Sequence, residues 1–271
     1  MSEEPDYSDY IFFLETVHGT TLKNLTEALK DLISDVNFTF NTETFGILKM
    51  NSNHSLLIHL VLYAEEFDKY YIQEPFIAGL NAPLLYKCLK TITSNDILRL
   101  TISRNDPNTL VVMISNAEKG HFNTFDIPLL DINEDDIQVP EWDFSFMVTM
   151  DPNDFQKIVR DQKNLGIEMV KVTYSKNCLQ FEGQGEVKTK AIRQPGKDKL
   201  TIETKEKSEV VGIYQGIFEL DKMVKFTKCT PGSEEVKLLL MNDYPMVFIY
   251  DTGSLGQVKL CLAPGTNPDE M

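Results

Sequence analysis

The sequence predicts an α+β protein built from two topologically similar domains, each with two helices packed on antiparallel sheets. Three observations carry that expectation. At 271 residues and 42% apolar content, the chain has room for two cores of about 130 residues each. Strand-length apolar runs dominate and are interrupted by short amphipathic helices. The order strand, helix, several strands, helix, several strands occurs twice, on either side of a proline- and acid-rich segment. That is a domain duplication and not a short solenoid repeat.

Residues 1–9 form an acidic N-terminal tail, followed by an N-terminal domain over 10–127. Tyr10 to Val17 reads as a strand. Thr20 to Ser34 reads as a helix, with Leu22, Leu25, Leu29, Leu32 and Ile33 at helical spacing. Strands are expected at Asn37–Phe40, Gly46–Met50, Ser55–Tyr63 and Tyr70–Ile77, and a second helix at Ala82–Thr93. Ile97–Ser103 and Leu110–Ser115 are further strands, joined by a turn at Asn105-Asp106-Pro107-Asn108.

Residues 128–143 read PLLDINEDDIQVPEWD. Two prolines and scattered acids rule out a central strand, so this is an extended linker whose Leu130, Ile132, Ile137 and Val139 need a surface to pack on. A C-terminal domain over 144–265 follows, then a tail at 266–271. Its expected strands are Phe144–Thr149, Glu168–Tyr174, Cys178–Glu182, Glu186–Arg193, Leu200–Thr204, Glu209–Gln215, Val236–Met241, Met246–Tyr250 and Gln257–Leu262. Its helices are Pro152–Asn164 and Phe218–Cys229.

The formal charge is −15, which opposes nucleic-acid binding by the surface as a whole. The basic residues are nevertheless ordered. Leu85-Tyr86-Lys87-Cys88-Leu89-Lys90, Phe155-Gln156-Lys157-Ile158-Val159-Arg160 and Leu220-Asp221-Lys222-Met223-Val224-Lys225 share one register. Apolar residues stand first, fourth and fifth, and basic residues third and sixth. At about 100° per residue the two sets point in opposite directions. Lys163 and Lys228 extend two of these stripes. Lys23 and Lys30 share a side of the first helix, with Glu27 and Asp31 close by. Lysine gathered this way suits phosphate contact without base readout. For any single helix a solvated amphipathic face is the simpler explanation, and it is the recurrence at corresponding places in two similar halves that points to phosphate.

No motif assembles catalytic chemistry. His18, His54, His59 and His121 lack metal-ligand spacing, and Cys88, Cys178, Cys229 and Cys261 form no CxxC pair. Gly183-Gln184-Gly185 is a lone GxG, and Gly253-Ser254-Leu255-Gly256 reads as a hairpin turn. Asp135-Asp136 is solvated linker charge. The expectation is no enzyme, no cofactor and no metal. The acidic start of the chain lacks a signal-peptide pattern, and the apolar stretches are strand-length, so a reduced intracellular setting without a membrane is the simplest reading.

Several segments resemble the proliferating cell nuclear antigen family. Glu27-Ala28-Leu29-Lys30-Asp31-Leu32-Ile33 looks like its first helix. Met50-Asn51-Ser52-Asn53-His54-Ser55-Leu56-Leu57 is similar to its serine-rich turn with a histidine. Asn81 to Asp96 resembles the second helix and the turn after it, Arg160-Asp161 and Gly166 match the third, and Phe226-Thr227-Lys228-Cys229-Thr230-Pro231 resembles the fourth. Leu262-Ala263-Pro264 matches the C-terminal LAP. The likeness spans about residues 10–265.

The resemblance implies the DNA clamp fold, with domains assembling into a ring, and a sliding clamp and processivity factor that encircles double-stranded DNA as a homotrimer. Its partners would be further copies of itself, DNA polymerase and other clients with short clamp-binding peptides, and a clamp loader. Subunits would meet through edge strands near Lys119–Ile127 and Glu186–Arg193, with Lys188, Lys190 and Arg193 facing an acidic partner edge. The DNA-facing residues it implies are Lys23, Lys30, Lys87, Lys90, Lys157, Arg160 and Lys228. Helical geometry adds Lys163, Lys222 and Lys225. Asn24 replaces a family lysine. A client pocket would use Met50, His54, Leu57, Ile137, Val139, Phe144, Pro245, Leu262, Ala263 and Pro264, receiving a helical turn with aromatic anchors. Cys261 and Ser55 depart from the family pattern there, and Lys176 aligns with a modifiable lysine. The setting implied is a eukaryotic nucleus or, given the divergence, a viral replication compartment. The rival readings are a subunit of a heterotrimeric checkpoint-type clamp and an interaction scaffold without a DNA role.

Overall fold

The computed structural model describes residues 6–116, 118, 120–133, 137, 144–175, 178–197, 199–204 and 213–265. The chain forms two compact units. The first comprises 1–49, 59–136 and 252–256, and the second comprises 50–58, 137–251 and 257–271. The grouping follows contacts and not chain order, so the turn at 50–58 belongs with the second unit.

In chain order, the elements from the N-terminus are β1 (Tyr10–Thr16), α1 (Gly19–Leu29), β2 (Asp35–Phe40), β3 (Thr44–Met50), β4 (Leu56–Tyr63), β5 (Lys69–Ile72), β6 (Phe76–Asn81), α2 (Ala82–Leu89), β7 (Ile97–Ser103), β8 (Asp106–Asn116) and β9 (His121–Pro128). One antiparallel sheet runs β5-β1-β7-β8-β9, and another places β4, β3, β2 and β6 side by side. Aromatic side chains from both fill the first unit. Phe12 of β1 meets Phe40 of β2 edge-on at 4.7 Å, and Phe40 stacks on Phe76 of β6 at 4.4 Å. Such contacts add to simple area burial.

The second unit contains β10 (Phe146–Met150), α3 (Pro152–Asn164), β11 (Met169–Ser175), β12 (Cys178–Gln184), β13 (Lys188–Arg193), β14 (Thr201–Thr204), β15 (Tyr214–Glu219), α4 (Leu220–Phe226), β16 (Val236–Leu240), β17 (Met246–Asp251) and β18 (Gly256–Leu262). Its sheets run β13-β12-β11-β15 and β14-β10-β16-β17-β18. Phe155 of α3 reaches Phe181 of β12 at 6.1 Å and Phe248 of β17 at 5.6 Å, and Phe226 of α4 meets Phe248 at 5.1 Å. The helix pair thus packs on strands of both sheets.

Local chemistry explains where the elements start. Asp151 caps α3 by accepting from the Asn153 and Asp154 amides, with Pro152 at the first helical position. Asn81 caps α2 by accepting from the Leu84 amide at 2.8 Å.

The structure corrects several expectations. Helix α1 stops at Leu29, because the Leu32 and Ile33 amides both return to the Leu29 carbonyl in a tight turn. Helix α2 stops at Leu89, and Ile92 turns back to the Leu89 carbonyl. The expected strand Tyr70–Ile77 is two strands, β5 and β6, separated where Pro75 lacks a ladder donor. The turn between β7 and β8 lies at Arg104–Asn105, and Asp106 to Asn108 already belong to β8. Strand β9 follows β8, where the hydropathy pattern alone predicts nothing. Phe218 and Glu219 end β15 and do not begin a helix.

The linker begins as an edge partner of β6. Gly79 and Leu130 exchange backbone hydrogen bonds of 3.1 and 2.9 Å. A Cβ on Gly79 would fall 2.4 Å from the Leu130 carbonyl oxygen, so only glycine permits this approach. Asn37 Nδ2 donates to the Ile132 carbonyl at 3.0 Å. Val139, Lys119 and Lys176 lie outside the described residues.

Candidate nucleic-acid interface and peptide site

In the first unit, Leu85, Cys88 and Leu89 are buried while Lys87 and Lys90 are exposed, as the register of α2 requires. The two α1 lysines behave differently. Lys23 Nζ donates to the Ile92 carbonyl at 3.0 Å and so ties α1 to the turn after α2. Lys30 pairs with Asp31 at 3.3 Å and lies 4.9 Å from the centre of the Tyr86 ring, a cation–π contact.

In the second unit, Phe155, Ile158 and Val159 are buried beneath α3, and Lys157, Arg160 and Lys163 are exposed. Lys157 bridges Asp161 at 2.7 Å, one helical turn on. Asp221 accepts from Lys225 at 3.0 Å and Lys163 at 3.2 Å. These contacts, Lys225 foremost, hold the Asp221 carboxyl below its ordinary range despite partial burial. On α4 the buried apolar residues are Leu220, Met223 and Phe226, with Val224 only half-buried. Lys228 follows α4 in a 3₁₀ turn, half-buried.

Seven of the ten predicted cations fall into two classes. Lys87, Lys90 and Arg160 project with no carboxylate partner among the described residues. Lys30, Lys157, Lys163 and Lys225 carry one in exposed or half-exposed pairs. Such pairs contribute about 0.2–1 kcal/mol, weak enough for a phosphate to displace, but the acid stays nearby and lowers the local potential. The sequence register finds the cations and misses Asp161 and Asp221 as their partners.

Lys222 is a third case. It sits in the predicted register, yet its ammonium donates to Ser55 Oγ at 2.7 Å and pairs with Glu219 at 2.9 Å. Its side chain is only 17% exposed.

Of the predicted peptide-site residues, Met50, His54, Leu57 and Ala263 lie at or against the turn that carries Ser55. Met50 ends β3, and His54 adopts φ +54°, with its Nδ1 2.8 Å from Met50 Sδ. Ala263 donates its amide to the Ser55 carbonyl at 3.0 Å. Met50, Ile137, Phe144, Pro245 and Ala263 are half-buried, and His54 and Pro264 are exposed. Leu57 and Leu262, at 6% and 1% exposure, are core residues that support the turn and do not present a surface themselves. Cys261 is also buried, and burial pushes its thiol up to about 12. Ser55 is the departure that shapes the turn. Sequence reasoning misses exposed Tyr244, beside Pro245, which is signalled only by an aromatic in a polar turn.

The two predicted contact edges are free sheet edges. Strand β9 ends the sheet β5-β1-β7-β8-β9, and β13 ends β13-β12-β11-β15. Phe122 on β9 and Ile192 on β13 are 70% and 46% exposed. Lys190 is paired with Glu182 at 2.7 Å, and Arg193 with Asp154 at 2.6 Å. The expected charge attraction of that edge is thus largely met within the chain.

Described residues line two clefts elsewhere. One of about 810 Å³ opens beside β11, β12 and β13, where Lys171, Lys188 and Lys190 mingle with Glu168 and Glu182. The other, about 370 Å³, lies beside Ile77, Pro107 and Leu130. Among the described residues no cluster of histidine, cysteine or acidic side chains has a metal-binding arrangement.

The chain is similar to known proteins over most of its length. Residues 11–138 match the family model "Proliferating cell nuclear antigen, N-terminal domain", and residues 138–265 match its C-terminal counterpart. Proliferating cell nuclear antigen of Chaetomium thermophilum is 27% identical over 255 residues, covering 93% of this chain and 97% of that one. The crystal structure of the Entamoeba histolytica protein described as proliferating cellular nuclear antigen superposes with a TM-score of 0.85. It is 24% identical, and the match covers 95% of this chain and all of that one.

Proposed function

The chain belongs to the proliferating cell nuclear antigen family, and from that membership, which implies a non-enzymatic DNA sliding clamp of replication and repair, we propose that it encircles duplex DNA as a homotrimer and tethers a DNA polymerase. The observation that carries the proposal is the recurrence, in each unit, of a two-helix face whose buried side is apolar and whose open side holds cations, on a chain of charge −15. Lys87 and Lys90 supply these cations in one unit and Arg160 in the other. On a protein of this acidity, cations presented along helix faces suit weak, sequence-independent phosphate contact.

A closed ring needs little affinity, because closure prevents escape while weak contacts permit sliding. Tethering then raises the effective polymerase concentration at the primer end. Free edges β9 and β13 would pair head to tail between copies, closing three chains into a ring. The turn Asn51–Ser55, with Ala263 and Pro264, would receive client peptides, and a loader would open the ring. The setting is a nucleus or a viral replication compartment.

Primer extension on closed circular and on linear template tests the proposal. With a loader present, the protein should extend polymerase run length on the circle and lose most of that effect on a linear template with free ends. Equal stimulation on both templates would contradict encirclement.

A further inference from the structure

The Ser55 hydroxyl is a saturated node. It donates to Asn53 Oδ1 at 2.7 Å and accepts from Asn51 Nδ2 at 3.1 Å and from Lys222 Nζ at 2.7 Å. One donor and two acceptor sites are all that a hydroxyl has. Around this node further bonds tie the turn. Asn51 Oδ1 accepts from the Leu56 amide at 2.9 Å, and the Asn51 carbonyl accepts from the His54 amide at 3.0 Å. His54 sits at φ +54°, a conformation that costs a non-glycine residue and persists only where the surroundings enforce it. Lys222 reaches the node from α4, 167 positions along the chain.

We propose that Lys222 is a positioning residue for client binding. It fixes the Asn51–Ser55 turn, and through it His54 and Ala263, in the shape that receives a peptide. Withdrawn to 17% exposure, it is not a phosphate contact, although its register on α4 matches that of the DNA-facing lysines. The bond is charge-assisted and half-buried, so it constrains more than a neutral surface contact would. The inference rests on the clamp reading above, because it concerns the same peptide site.

The test uses the full chain and a synthetic peptide carrying one helical turn with two aromatic anchors. Lys222→Met keeps most of the stem and loses the donor, Lys222→Arg keeps a donor, and Ser55→Ala removes the node. Lys222→Met and Ser55→Ala should each weaken peptide binding by roughly 3- to 10-fold. The double variant should bind no worse than Ser55→Ala alone, because the Lys222 bond is one of the three that Ser55→Ala already removes. Lys222→Arg should stay within about twofold of wild type. Amide exchange at His54, Leu56 and Ala263 should quicken in Lys222→Met without any peptide, and the salt dependence of DNA binding should not change.

Wild-type affinity in Lys222→Met, or losses that multiply in the double variant, would overturn the assignment while leaving the clamp reading intact. A reduced salt dependence in Lys222→Met would return Lys222 to the DNA contacts. A wild-type protein that fails to bind the peptide would remove the client site, and this inference with it.

Discussion

Replacing Lys87, Lys90 and Arg160 with alanine should flatten the salt dependence of DNA binding far more than replacing Lys163 and Lys225. The first three cations have no carboxylate partner among the described residues, so each can neutralise a phosphate outright. Each neutralised phosphate contributes about 0.9 to the slope of log affinity against log salt. The triple variant should therefore lose up to ~2.7 from the slope per contacting chain. Lys163 and Lys225 share Asp221 at 3.2 and 3.0 Å. That carboxylate already cancels one of the two charges, so the cluster offers phosphate about one net cation, and the slope should fall by less than ~1. Duplex binding measured across a salt series gives both numbers. Equal losses in the two variants would refute the division into open and neutralised cations.

Other outcomes follow from the same structure. Asp221→Asn should release Lys163 and Lys225 and tighten duplex binding at low salt by a few-fold, read in the same titration; unchanged or weaker binding would show that the pairs do not restrain those lysines. Phe122→Asp on β9, or Ile192→Asp on β13, should lower the assembled mass, because each puts a charge on an exposed apolar edge. With Lys190 and Arg193 already paired within the chain, moderate salt should dissociate the wild type little, which sedimentation can check. Burial raises the Cys229 and Cys261 thiols from 9.0 to about 12. The folded protein thus keeps protons that the unfolded chain sheds above about 9. Their contribution to stability is intact below pH 9 and is lost as pH rises from 9 to about 12. Native-state alkylation near pH 8 should spare both thiols, and rapid labelling of either would contradict their burial.

How much was legible varies by element, for physical reasons. Helix α3 coincides with its expected bounds because Asp151 and Pro152 mark the start and the apolar stripe continues to Asn164. The β15–α4 boundary was obscured because Phe218 and Leu220 are apolar at a spacing that suits either strand or helix. The break at Pro75 was in plain view, since proline cannot donate to a ladder, but the apolar run across it concealed two strands. In the candidate site, the register of α2 and α3 located exposed cations correctly. Register says nothing about a partner brought in by folding. The Lys222–Ser55 bond spans 167 positions, and Asp221 meets Lys163 across two helices. The peptide-site residues came from family likeness. Only the structure separates the supporting Leu57 and Leu262 from the accessible His54 and Pro264.

The mass of the protein in solution tests the central claim of a self-closing ring most directly. Light scattering at micromolar concentration should return three times the 31.0 kDa of one chain. A stable single-chain mass at that concentration would contradict it.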